Sequence, residues 1–266
     1  MKKDYPLVEA IFELRWGEVA PGHFRYSNQG ASGDVFLQKF TMQAMKAGYE
    51  HVEKVVDSDI SPIPHRAYYR FRKQDGQWPC LQIGLGVFTV NQTAEEYCKE
   101  TFLKDIEEGI NAWRFTLGED IQEVLDTLTI ILRYQDFFPE NEDQTEVQKL
   151  EDYFGISLTF PEKFADSAHR INSIDLSFSL KCESPDASMA NISFKNAISG
   201  SKKGILADTV VFTKYNALVH GQSDIKQSIR NWIEDAHGFQ IRTFEQLMED
   251  NQGVLMVRSV SRSTPT

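Results

Sequence analysis

Four residues of one short segment, Arg66, Tyr68, Arg70 and Arg72, occupy every second position. On an extended strand that spacing places all four on one face. A strip of guanidinium groups with an aromatic ring suits a phosphate, an acidic peptide or single-stranded nucleic acid. The plainer reading is the wet face of a sheet, with Arg70 and Arg72 paired across strands to carboxylates such as Glu9 and Glu13. His237 is the other candidate. It lies with Trp232 and Asp235 in an amphipathic segment, where a histidine acts as a switch or base, or simply packs half-buried.

Other patterns carry less. The six histidines show no metal-ligand spacing to one another or to cysteine, so no metal site and no cofactor are expected. Gly84-Leu85-Gly86 starts like a dinucleotide loop, but Thr89 stands where the third glycine belongs, and the segment reads as strand interior. Gly200 to Gly204 lacks phosphate-loop spacing and reads as a hairpin turn. No Gly-x-Ser-x-Gly elbow exists. The expectation is therefore no catalytic residue, leaning away from an enzyme. Glu95, Glu96, Glu100, Asp105, Glu107 and Glu108 make one helical segment acidic, either as a solvated face or as a docking surface for a basic partner.

The net charge of −11, with no clustered basic run, argues against tight nonspecific binding to duplex DNA. Cys80, Cys98 and Cys182 are odd in number and far apart, which fits a reduced cytoplasmic setting better than a disulfide framework. No window approaches 18 apolar residues, and the opening residues lack an apolar targeting core, so no membrane association is expected.

The elements that would position these residues repeat. Residues 7–16 alternate as a half-buried strand. Residues 34–48 form a helix capped by Asp34. Strands at 66–73 and 80–90 are joined by Gln74-Asp75-Gly76-Gln77, a hairpin signal. A helix at 93–117 buries Phe102, Ile106, Ile110 and Trp113. With a strand at 127–135, the order is β-α-β-β-α-β, as in ferredoxin-like folds. A short helix at 145–153, three strands at 170–182, 189–198 and 205–215, and a helix at 224–248 with Trp232, Ile233 and Phe239 complete the chain. The fold class is α+β, built as two related lobes, each an antiparallel sheet packed by a long helix. Residues 1–139 form the first lobe, 140–258 the second, and 259–266 a flexible tail.

The opening Tyr5-Pro6-Leu7-Val8-Glu9-Ala10-Ile11-Phe12-Glu13-Leu14-Arg15-Trp16 resembles the Y-P-x-V/I-E-A-I-F-E-L-R start of a sporadically distributed family of prokaryotic conserved hypothetical proteins. Trp78 to Gly84 with Val87 to Asn91, Ile130-Ile131-Leu132-Arg133-Tyr134, and Trp232 to Met248 resemble its later signatures. Gln135-Asp136 departs from its Ile-Asn. The resemblance implies accessory or mobile genes, such as defence islands or antitoxin-like pairs, rather than a reaction. The leading expectation is a cytoplasmic interaction subunit, adaptor or antitoxin-like protein with a protein partner, self-association being allowed. The alternative is a sensor or enzyme binding a nucleotide or phosphorylated small molecule on the arginine strip or between the lobes.

Overall fold

The computed structural model describes residues 6–26, 34–56, 63–95, 97–139, 146–160, 173–218 and 224–248. The first part runs β1 (Leu7–Arg15), β2 (Glu18–Ala20), β3 (His23–Phe24), α1 (Asp34–Lys46), β4 (His51–Lys54), β5 (Ala67–Arg72), β6 (Cys80–Gly84), β7 (Val87–Thr93), α2 (Lys99–Leu117) and α3 (Ile121–Leu125). The second runs β8 (Thr129–Pro139), α4 (Glu146–Phe154), β9 (Asp175–Lys181), β10 (Met189–Ser199), β11 (Lys202–Lys214), α5 (Tyr215–Leu218) and α6 (Ile225–Met248). This is an α+β protein with one nine-stranded antiparallel sheet, ordered β4-β5-β6-β7-β1-β8-β11-β10-β9. β2 and β3 form a separate small hairpin.

Period-two alternation decides which residues meet the helices. Phe12 stands beside Leu132 and Leu14 beside Ile130 across the β1–β8 pair. These residues are fully buried and join Trp113 of α2 and Ile229, Trp232 and Ile233 of α6 in one cluster. The cluster therefore draws on both ends of the chain. A smaller cluster of Phe138, Leu150, Phe154, Ile192 and Phe194 fills the space beneath α4. The Trp232 indole N–H donates to Ser188 Oγ at 3.0 Å, giving this buried ring a polar partner.

One expected element is redrawn. The strand expected over 80–90 is the β6–β7 hairpin, turning at Leu85-Gly86, with Gly86 at φ 70°. Glycine reaches that conformation without Cβ strain. Four strands rather than two thus lie between α1 and α2, in place of the β-α-β-β spacing expected there. The second long helix spans Ile225–Met248 as one helix through His237-Gly238. The expected tail lies outside the described residues.

Candidate functional site

The arginine strip does not stay in phase. A β-bulge in the β5–β6 register between Ala67 and Tyr69 breaks the alternation between Arg66 and Arg70. Arg66 is exposed and Tyr68 is buried. The Tyr68 hydroxyl accepts the Ile63 backbone N–H. Arg70 and Arg72 lie on the sheet face away from the core, across from Gln82 and Cys80. Their partners correct the sequence expectation. Arg70 donates to Glu53 at 3.2 Å, and Arg72 donates to the Gln77 carbonyl at 2.6 Å with its guanidinium 4.6 Å from the Trp78 ring centre. Glu9 and Glu13 cannot serve, because β6 and β7 separate β1 from β5.

His237 belongs to the other side of the sheet. Its Nδ1 lies 3.1 Å from the Tyr134 hydroxyl, which lies 2.7 Å from the Tyr97 hydroxyl. Burial pushes the Tyr134 phenol well above its ordinary range, with the neighbouring Tyr97 adding to it. A phenol held neutral offers no base, and the chain of rings ties α6 to β8. The acidic helix α2 is largely compensated from within. Lys73 bonds Asp105 at 3.1 Å and Glu108 at 3.2 Å, and Arg230 of α6 bonds Glu107 at 2.7 Å. Tyr49 also donates to Asp105, at 3.3 Å.

The convergence of polar chemistry lies elsewhere, at the centre of the open face. The odd-numbered residues of β1 and β8 project there: Glu9, Glu13, Arg15 and Arg133, with Ile11 and Ile131 between them. Arg133 grips Asp208 of β11 through two parallel bonds, Nε to Oδ1 and Nη2 to Oδ2, each 2.6 Å. That bond raises the Arg133 pKa, so its charge is permanent. Arg15 pairs with Glu13. Asn91 donates to Glu9 at 2.7 Å and accepts from Thr89. Lys214 donates to Thr129 Oγ1 at 2.8 Å.

These groups flank a groove of about 650 Å³, lined among others by Glu13, Arg15, His65, Arg133, Asn191 and Lys214. The volume is in the range of small-molecule sites. A second hollow of about 300 Å³ adjoins it, sharing Trp16 and Thr127. Tyr26 lines this hollow, its ring lying over Gly17 and Gly86. A Cβ at Gly17 would meet the ring at 2.2 Å, and one at Gly86 would meet the hydroxyl at 2.6 Å. The Tyr26 hydroxyl is buried without a hydrogen-bond partner, and burial, with Glu18 adding, pushes its pKa up to about 12. Sequence reading missed this site because its members come from β1, β8, β10 and β11. A usable signal existed: Glu9, Glu13 and Arg15 alternate within one strand segment and Arg133 lies in another, and their parity puts them on one face.

The fold and site define an α+β protein with a large antiparallel sheet, helices over one face and a charged groove on the other. No family model matches the chain, and no curated protein matches it. Among solved structures the chain is similar to the di-domain ARO/CYC StfQ from the steffimycin biosynthetic pathway, at 10% identity over 70% of this chain and 75% of that one, with a TM-score of 0.20. An overlap at that score carries no argument about fold or activity. No helix among the described residues is long and apolar enough to cross a membrane.

Proposed function

We propose that this protein is a small-molecule-binding protein whose ligand carries a carboxylate or phosphate and lies in the groove on the open sheet face. One observation carries the reading. The groove places Lys214, whose bonded partner is a threonine hydroxyl, beside Arg15 and Arg133, which are held in place by Glu13 and Asp208. A paired arginine is oriented in advance and still presents further N–H donors, so an anion meets a prepared site. Lys214 supplies the charge that no carboxylate among the described residues has taken.

The groove also lies where two related halves meet on this reading. Outward from β1 the sheet runs β7, β6, β5, and outward from β8 it runs β11, β10, β9. Each half is then a strand, a helix, further strands and a long helix. On this reading the boundary between halves lies at the α3–β8 connection rather than at residues 139–140, because β8 takes the place in the second half that β1 takes in the first. The role as an interaction subunit in an accessory system is a second reading, favoured by exposed Phe178 and Leu180 on the edge strand β9.

Isothermal titration against inorganic phosphate, nucleoside monophosphates and dicarboxylates tests the first reading. Binding by at least one probe is expected, weakened about tenfold by Lys214→Gln, the loss of one charge-assisted bond. Wild-type protein that binds none of these probes would overturn it.

A further inference from the structure

Strand β9 borders β10 on one side and has no neighbour on the other among the described residues. Its backbone polarity can be read from its flanks. The Asn196 N–H donates to the Ile174 carbonyl at 3.3 Å, and the Cys182 N–H donates to the Ser188 carbonyl at 3.0 Å. Both flanking residues are even-numbered, and the β9–β10 register between them is unbroken. Backbone groups alternate edges along an antiparallel strand. The N–H and C=O groups of Asp175, Ser177, Ser179 and Lys181 therefore point to the open edge.

The residues of β9 read Asp-Leu-Ser-Phe-Ser-Leu-Lys. About Phe178 this order is the same in both directions, except that its two ends carry opposite charges. Two copies paired antiparallel about a dyad at Phe178 would set Ser177 opposite Ser179, Leu176 opposite Leu180 and Asp175 opposite Lys181. The outward-pointing residues then fall at the positions that exchange hydrogen bonds in pairs. A shift of the register by two residues would lose both attractive pairs, setting each charge opposite a serine in one direction and Asp175 opposite Glu183 in the other. Phe178 and Leu180, each 40% exposed, would meet their counterparts on the helix-side face. β9 also lacks the usual protection of an edge strand, having no proline, no bulge against β10, and charge only at its ends.

We propose that this chain forms a two-fold homodimer by antiparallel pairing of β9 with β9 of a second copy, joining the two sheets edge to edge. The interface is isologous, as a two-fold axis requires. It stands apart from the groove reading and does not depend on it.

Sedimentation equilibrium of the full chain tests this, with the charge pair exchanged stepwise. The wild type is expected to dimerise at concentrations below about 100 µM, the range of weak but specific affinity. Asp175→Lys and Lys181→Asp each set like charges opposite one another twice in the dimer, and each is expected to weaken dimerisation about tenfold or more. The double exchange, Asp175→Lys with Lys181→Asp, restores attraction and should return the dissociation constant to within about threefold of wild type. Ser177→Pro removes an outward N–H while sparing the ladder to β10, and should also give monomer. Circular dichroism confirms that each variant is folded. If a variant fails to fold, hydrogen exchange on the wild type decides, through amide protection at Ser177 and Ser179 that rises with protein concentration. A monomeric wild type, single exchanges without effect, a double exchange that does not recover, or edge amides whose protection ignores concentration would overturn the proposal.

Discussion

The open face of the sheet carries two arginine clusters that differ in almost every physical respect. The outer one, on β5, is Arg70 against Glu53 at 3.2 Å, with 25% and 57% of their side chains exposed. The central one is Arg133 against Asp208, doubly bonded at 2.6 Å, with 32% and 7% exposed. The outer pair joins β5 to the edge strand β4, within reach of water that screens it. The central pair is flanked on both sides by further strands, and its carboxylate is almost wholly removed from water, so breaking it strands a charge. The same residue types thus act as surface solvation in one place and as the scaffold of a groove in the other. Position in the sheet order makes the difference.

The largest test of this contrast is Asp208→Ala. It leaves Arg133 without its counter-charge, and the expected loss is about 3 kcal/mol, at the lower end for a buried pair because Arg133 is about one-third exposed. Urea denaturation measures it, and a loss below about 1 kcal/mol would place the central pair in the same class as the outer one.

Arg133→Met combined with Asp208→Leu sharpens the point. Removing both charges should bring stability back to within about 1 kcal/mol of wild type, while phosphate or carboxylate binding in the groove is weakened. Retained binding with restored stability would mean that Arg133 does not hold the ligand.

On the outer cluster, Arg70→Gln with Arg72→Gln should cost less than about 1 kcal/mol and leave groove binding unchanged. A larger loss in thermal unfolding would mean that the contact of Arg72 with Trp78 or the buried Arg70 Nε matters more than exposure suggests.

The smallest effect is expected beside the groove. Tyr26→Phe removes a buried hydroxyl that has no partner, so at neutral pH stability should change by under about 1 kcal/mol, in the stabilising direction if at all. The contrast appears in alkali. The folded-state phenol titrates at about 12, above the ordinary value near 10. The unfolded chain therefore ionises first, and the stability this tyrosine supports is present below pH ~10 and lost as pH rises towards 12. The Phe variant should lose less melting temperature over that window, and an identical alkaline loss in both proteins would remove Tyr26 as its source.

Much of the local structure was legible from period alone. The alternation of residues 7–16 fixes Phe12 and Leu14 inward and Glu13 and Arg15 outward, as found in β1. The spacing of Phe102, Ile106, Ile110 and Trp113 marks the buried face of α2. Asp75-Gly76 marks the β5–β6 turn. Leu85-Gly86 was misread because Leu81, Ile83, Phe88 and Val90 are apolar on both sides of it, so the chain reversal interrupts no hydrophobic run. The break in alternation between Arg66 and Arg70 was missed because a bulge inserts a residue without a compositional mark.

The amino-acid sequence by itself determined the elements, their inward and outward faces, and the excess of negative charge. These depend on residues a few positions apart, where backbone geometry is periodic and propensity acts directly. Only the tertiary structure decided which strands are neighbours. It set Arg133 between β1 and β11, brought Asp208 to it from 75 positions away, kept Glu9 and Glu13 away from Arg70 and Arg72, and gathered residues of both long helices into the main buried cluster. Strand pairing of this kind is selected by burial and hydrogen bonding across the whole chain at once, and no short window of residues contains that comparison.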